Sequence, residues 1–415
     1  MLWGFFKMLE KIKTFKESNP KLRKIMLAVM SLLVIGSLFS FFTGFKKLNA
    51  NYGDIHFIQS LEMDRDTEAE DYDEDSTVCD VAFVNGDAKL IVSYSYEEYE
   101  DLDIGSITGY EYQTDNGTML YFDHQDPTAQ EVQYVFHQTE ANALMPVFNL
   151  GIALLILFVS VWIMYTFAKA FTTYEKCWFL TIMVLATIVA VAFPEDSANG
   201  VNGIIIMLLY LLDTFLNILC ELLISKQSRY NFLVSVLVEI TEIATCLVLM
   251  YRFATIATTL FFWLPIDILS YINWSKHKDD ESDELTAVRR LKGYQEVLII
   301  LSIIVWTFVV GYFLSGLDIQ TDFLGGNEQL ETAITYIDAC ASAVGVANGL
   351  FIFFRLREQW IAWYICAALE AIINILSGQY VLLVLKLGYF TNTTYGYIKW
   401  SKYIKSHQEE KKSLF

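Results

Sequence analysis

Ten stretches of this sequence, at 25–44, 146–167, 177–193, 204–225, 232–250, 253–273, 297–316, 332–354, 360–377 and 380–399, are apolar over close to the length that crosses a bilayer core. That crossing takes about 20 helical residues. No water is present there to satisfy free N–H and C=O groups, so each run is expected to be a helix with its backbone bonds made internally. A mean hydropathy of +0.38 and a hydrophobic share of 54% point the same way. The expected fold class is therefore an all-α polytopic membrane protein of about ten transmembrane helices, with the lipid bilayer as its main solvent.

The segment 48–145, between the first and second runs, is different in kind. It holds 23 acidic residues against two basic ones, Arg65 and Lys89, and accounts for the chain's net charge of −19. The acidity is thus local and gives no reason to expect a nucleic-acid partner. Residues 64–75 (DRDTEAEDYDED) read as a solvated loop. Beyond them 78–84, 88–96, 107–113 and 118–122 have strand character, with Asn85-Gly86 and Asn116-Gly117 where hairpin turns belong. The expectation is a small, mainly-β domain inserted after the first helix. Its acidic run lacks the spacing and glycine of an EF-hand loop, and its single cysteine, Cys79, has no partner there for a disulfide. All five histidines lie outside the apolar runs, which argues against a histidine-built metal site in the membrane. No cofactor is expected.

Charge also orients the chain. Residues 1–24 are Lys-rich with Leu2, Trp3, Phe5, Phe6 and Leu9 between the charges; they suit an amphipathic helix on the inner leaflet or a basic flank of the first span. With the N-terminus inside, most of the 29 Lys and Arg fall in inner loops, and the outer loops 194–202 and 317–331 carry acid and no base. Both termini are expected in the cytoplasm and the acidic domain outside. Arg252, in a very short outer turn, is the exception.

The phrase Tyr271-Ile272-Asn273-Trp274-Ser275-Lys276 returns as Tyr397-Ile398-Lys399-Trp400-Ser401-Lys402. The three runs before each copy correspond, with Asp213 after Tyr210 in the first set and Asp338 after Tyr336 in the second. Both sets begin outside and end inside, so the run at 297–316 must be a single linking helix. The expected core is a 3+1+3 parallel repeat, an arrangement that puts a substrate site between the two bundles.

The second copy carries further features. Trp360 and Trp363 are three apart, Glu370 and Asn374 are one turn apart, and the last run holds Tyr389, Asn392, Tyr395 and Gly396 before Trp400. In these residues 204–402 resemble the bacterial nicotinamide riboside transporters, the PnuC family, which share an architecture with the SWEET sugar facilitators. Trp360-x-x-Trp363 matches the first half of the family's W-x-x-W-x-x-x-N signature, and the asparagine position is Ala367 here. Relatives of the fold are associated with thiamine or riboflavin. The resemblance implies a facilitator in the bacterial cell membrane that imports a vitamin or nucleoside, nicotinamide riboside first, by facilitated diffusion. It also implies a cytoplasmic kinase that traps the substrate, and it allows a homotrimer. The resemblance points to Trp363, Trp360, Asn348, Tyr389, Asn392 and Tyr395 as substrate-binding residues, and the polar groups inside the runs add Asp338, Glu370, Asn374 and Asp213 as candidates.

On this reading 1–47 form an amphipathic segment and the first helix, 48–145 the extracellular β domain, 146–200 two additional helices, 201–405 the transporter core and 406–415 a cytoplasmic tail.

Charges in these runs are expensive. A carboxylate near the bilayer centre costs roughly 2.5–3.5 kcal/mol on insertion scales. Yet Asp213, Glu221, Glu239, Glu242, Asp267, Asp338, Glu370 and Lys386 all fall inside them. At about 1.5 Å per residue, Asp338, Glu370 and Lys386 come out at similar depth, so Lys386 is expected to pair with Glu370 or Asp338, either to fix packing or to face substrate. Glu239 and Glu242 share a helix face, suited to a cationic ligand or, protonated, to neighbouring hydrogen bonds. Ala341, Gly345 and Gly349 form a stripe that permits close helix approach. Trp274 and Trp400, beside basic residues, read as interface anchors. Trp363, a turn deeper than Trp360, suits stacking on a cationic planar ring.

The sequence has no Walker loop, no Gly-rich dinucleotide turn after a strand and no His/Cys cluster, so an enzyme is not expected. A second reading is a membrane sensor or interaction protein that uses the acidic domain, with a bundle that no longer transports.

Overall fold

The computed structural model describes residues 20–66, 78–86, 88–101, 105–167, 169–198, 201–276, 291, 293–316 and 328–413. The amphipathic stretch before residue 20 and most of the acidic run 64–75 lie outside these residues. The chain divides into two units: one runs from Ser40 to Phe148, and the other is built from the remaining helices.

In the first unit five antiparallel strands form one sheet. β1 (Ile55–Arg65), β2 (Val78–Asn85), β3 (Ala88–Ser95), β4 (Ile107–Thr114) and β5 (Met119–Phe122) lie in the order β3-β2-β1-β4-β5. Gly86 closes the β2–β3 hairpin at φ +59° and Gly117 the β4–β5 hairpin at φ +85°, a backbone region that glycine enters without a Cβ penalty. Met63, Val81, Phe83, Ala88 and Leu90 make one small core on the sheet, and Tyr112, Leu120 and Phe122 another with Val132 and Phe136. The central strand β1 does not stand out in the sequence. Most of its residues are exposed, so it shows no apolar alternation. Its pairing to β4, including Ser60 to Tyr110 and Leu61 to Gly109, makes it a strand.

Helices carry the rest: α1 (Pro20–Leu48), α2 (Tyr96–Glu100, a short turn beside β3), α3 (Ala129–Thr166), α4 (Thr173–Ala192), α5 (Gly203–Ser225), α6 (Asn231–Val248), α7 (Phe253–Lys276), α8 (Gly293–Ser315), α9 (Glu328–Phe353), α10 (Gln359–Leu376) and α11 (Tyr380–Ser413). Among the described residues nine helices are long and apolar enough to cross a membrane, one fewer than the sequence suggested. The tenth candidate, α11, is a 34-residue helix with too many polar groups to meet that measure. Several of these groups, Lys386, Asn392 and Thr393 among them, are buried in the bundle.

Four helix ends turn in the same way. After α5 and α9 the chain passes through left-handed residues, Gln227 (φ 58°) and Arg355 (φ 59°). The next N–H in each case reaches back five residues, Ser228 to Leu223 O at 3.0 Å and Leu356 to Phe351 O at 2.8 Å. Met250 (φ 49°) and Gly378 (φ 70°) end α6 and α10 likewise, with Tyr251 bonded to Cys246 O and Gln379 to Asn374 O. These caps satisfy carbonyls that a helix end would otherwise leave free. The residues just past the second pair meet: the Tyr251 hydroxyl donates to Gln379 Oε1 at 2.8 Å.

Trp274 and Trp400 are not interface anchors. They are 1% and 0% exposed, 6.2 Å apart, and Trp274 Nε1 donates to Ile352 O at 2.9 Å. Indole area inside a packed bundle evidently outweighs the interfacial preference here. The small-residue stripe of α9 lies against α7: a Cβ on Gly349 would come within 2.5 Å of Phe262 and 3.3 Å of Trp263.

Candidate functional site

One cavity of about 100 Å³, room for several waters, lies within the helical unit between α5, α6, α7, α9, α10 and α11. Helical spacing explains its α10 wall. Trp363, Cys366, Glu370 and Asn374 recur every three or four residues and form one stripe that faces it. Ala367 falls beside that stripe, 0% exposed in the apolar core.

The α7 wall is set by a break in the helix. Pro265 has no N–H and cannot close a regular turn. The turn Thr259–Trp263 widens to a π-helical one, with the Leu264 N–H bonded to Thr259 O. Such wide turns recur at functional sites, and here both Thr259 and Trp263 reach the cavity. Trp263 lies near-parallel to Trp363, at 18° and 6.4 Å between centroids. Tyr389 adds a third ring 5.3 Å from Trp363, and its hydroxyl donates to Asn217 Oδ1.

Arg252 is the main departure from the sequence reading. The left-handed conformations of Met250 (φ 49°) and Arg252 (φ 54°) fold the α6–α7 turn inward, and Arg252 ends 7% exposed. Its Nε lies 3.3 Å from Asp338 Oδ1, and its Nη2 lies 3.1 Å from Glu370 Oε1 and 3.9 Å from Glu242 Oε1. Asp338 also accepts from the Thr255 backbone N–H at 3.2 Å and from the Thr255 hydroxyl. Lys386 pairs with the other oxygen of Glu370. Of the two partners expected for Lys386, Glu370 is the one it meets, while Asp338 meets Arg252, inside a network built on a second cation. Desolvated charges hold only when their remaining hydrogen-bonding capacity is met this way.

Farther along α5, α6 and α7, Asp213, Glu221, Glu239 and Asp267 have no ion pair among the described residues. Asp213 accepts from Thr241 Oγ1 at 2.9 Å and Glu221 from Asn392 Nδ2 at 2.9 Å. Glu239 and Asp267, 5% and 3% exposed, each keep one oxygen buried without a hydrogen-bond partner. Both side-chain ends of Asn231 and Asn374, each 1% exposed, are likewise unpartnered.

Of the sequence-derived candidates, Trp363, Glu370, Asn374, Tyr389 and Asp213 line the cavity. Asp338 stands behind Arg252, and Asn392 behind Glu221. The other three lie away from it. Trp360 is 0% exposed and packs edge-on against Trp400 at 5.6 Å; a Cβ on Gly396 would come within 2.5 Å of its ring, which requires glycine there. Asn348 is fully buried off the wall. The Tyr395 hydroxyl donates to Glu175 Oε1 at 3.1 Å, beside Lys226 at 3.4 Å and Lys399 at 3.7 Å.

Sequence reasoning missed Arg252, Trp263 and Asn231 as wall residues. Only Arg252 left a signal, as the one basic residue out of place for the charge rule.

Comparison with known proteins follows this geometry. Residues 207–402 match the family model described as nicotinamide mononucleotide transporter. The chain is 22% identical over 246 residues to the nicotinamide riboside transporter PnuC of Neisseria mucosa, covering 57% of this chain and 84% of that protein. It is 21% identical to the PnuC of Haemophilus influenzae, covering 58% and 94%. A crystal structure of the vitamin B3 transporter PnuC aligns over 57% of this chain and 94% of its own, with 20% identity and a TM-score of 0.45.

Proposed function

We infer, from the match of residues 207–402 to the nicotinamide mononucleotide transporter family model and the likeness to two PnuC transporters, that this protein is a member of that family and carries nicotinamide riboside, or a closely related vitamin or nucleoside, across a membrane. The observation that carries the reading is the juxtaposition, within the matched residues, of a paired indole wall with an unpartnered amide and carboxylates. Nicotinamide riboside presents a planar pyridinium and a carboxamide. Aromatic faces attract such a cation, and the free Asn374 amide complements the carboxamide as both donor and acceptor. Trp363, Tyr389, Asn374, Glu370 and Asp213 are proposed as substrate contacts. Asp338, Asn392, Trp360, Asn348 and Tyr395 hold those contacts or their helices in place.

The core is proposed as a 3+1+3 repeat of α5–α7, α8 and α9–α11. Two features support it. The αL turns fall in matched pairs, Gln227 with Arg355 and Met250 with Gly378. Corresponding residues also touch each other, Tyr251 with Gln379 and Trp274 with Trp400, as expected of residues beside a pseudo-twofold axis. Counted from the turns, however, Asp213 precedes Gln227 by 14 residues and Asp338 precedes Arg355 by 17, so the two aspartates do not correspond.

Around this core, 48–145 is proposed as an extracellular β domain, 146–200 as two added helices, and both termini as cytoplasmic, in a bacterial cell membrane. Transport is proposed as facilitated diffusion inward, made one-way by a cytoplasmic kinase, in a homotrimer. The family match favours this over a sensor role for the acidic domain.

The test is calorimetric binding of nicotinamide riboside, thiamine, riboflavin and common nucleosides to the purified protein, with Trp363→Ala as control. One ligand bound by wild type and lost, or weakened about tenfold or more, in the variant is expected. No binding across the panel by folded protein refutes the reading.

A further inference from the structure

Among the described residues seven carboxylates face or back this cavity: Asp213, Glu221, Glu239, Glu242, Asp267, Glu370 and Asp338. Two cations meet them, Arg252 and Lys386, and their ion pairs go to Asp338, Glu370 and Glu242. Thr241 and Asn392 supply donors to Asp213 and Glu221. That leaves Glu239 on α6 and Asp267 on α7. They lie within electrostatic reach of each other, with Glu242 and Asp213 also near Glu239 and with Cys220 and Glu221 on the facing side of α5. Ser235 lies near Asp267, and Asp267 Oδ2 and Glu239 Oε2 remain buried and unpartnered, as do both side-chain ends of Asn231.

A carboxylate buried with an empty oxygen and no counter-charge does not persist as an anion; it takes a proton. A bound cation neutralises the same oxygen equally well. We propose that Glu239 and Asp267 form a cation subsite at which a planar organic monocation exchanges for a proton. In the exchange one carboxylic O–H bond breaks, the proton passes through the cavity to bulk water, and the carboxylate left behind pairs with the cation. Nothing is oxidised or reduced, and the charge of the site is the same before and after. The Trp263–Trp363 wall on the same cavity selects a planar organic ion over an inorganic one. The proposal rests on the transport reading for the nature of its ligand and adds a proton linkage to it.

The linkage can be read on wild-type protein alone. Calorimetry of nicotinamide riboside binding, in two buffers of different ionisation enthalpy, is expected to show about one proton released per cation at pH 6, with affinity rising up to tenfold between pH 6 and 7. The reduced riboside, which is uncharged, should release none and bind independently of pH. The double variant Glu239→Gln with Asp267→Asn should abolish the release, weaken the cation about tenfold and leave the reduced form within about twofold. Cation binding by wild type with no proton release and no pH dependence overturns the proposal and leaves the transport reading standing. No binding of either riboside overturns both. Proton release on adding sodium alone, with none on adding riboside, assigns the site to an inorganic ion and overturns the organic-cation subsite.

Discussion

At the end of the cavity beside the α6–α7 turn, Glu370 and Asp338 meet the guanidinium of Arg252, and Glu370 meets Lys386 as well. Toward the Trp274 end, Glu239 and Asp267 meet no cation among the described residues, and each leaves an oxygen bare. The burial is the same at both ends, 5% or less for Asp338, Glu239 and Asp267. What differs is compensation, and it changes what removal of a side chain should do. In the first region charges hold one another, so that deleting a partner strands the others. In the second the acids stand as neutral groups, and replacing them strands nothing.

The largest effect should follow Arg252→Met. It leaves Asp338 and Glu370 as buried acids with one cation between them, and breaking such a buried network costs about 3–5 kcal/mol. Thermal unfolding in detergent should fall sharply, and adding Asp338→Asn should recover part of the loss. Wild-type stability in the single variant would erase the distinction between the two ends.

Lys386→Met should cost less, about 1–3 kcal/mol, because Glu370 keeps its 3.1 Å contact with Arg252. Its folding and ligand binding, measured together, divide packing from substrate contact. Unchanged values of both would remove the Lys386–Glu370 pair from the argument. Glu239→Gln and Asp267→Asn should fall within about 1 kcal/mol of wild type in unfolding. Losses as large as that of Arg252→Met would mean that these acids are compensated after all.

How much of this the sequence disclosed follows the same division. Helices were legible because the bilayer forbids free backbone groups, and the α10 stripe followed from 3.6-residue spacing. That Lys386 meets Glu370 or Asp338 was legible from depth; which of the two was not. The inward place of Arg252 was not, since it depends on two left-handed residues, Met250 and Arg252, on either side of Tyr251; the charge rule marked Arg252 as out of place without saying where it goes. Trp263 depends on how Pro265 breaks its helix. Strand β1 was hidden for a related reason: its two neighbours, not its own residues, supply its order. Features fixed by one element's periodicity were readable, and features fixed by where two elements meet were not.

A fifth carboxylate separates burial from position, and its effect should be the smallest. Glu195 lies in the α4–α5 loop, outside the spans, where burial first and the neighbouring Asp196 second push its carboxyl up to about 7 from 4.5. A carboxyl raised in the folded state favours folding while both states are protonated, below about pH 4.5, and that contribution is lost as pH rises through 7. Wild type should therefore lose more stability than Glu195→Gln between pH 4.5 and 7, by about 1–2 °C in Tm for a half-buried group. Ligand affinity should keep the same pH dependence in both proteins, because Glu195 does not line the cavity. If Glu195→Gln flattened the affinity profile as well, pH would be acting on the fold as a whole, and the bare oxygens of Glu239 and Asp267 would no longer be needed to explain it.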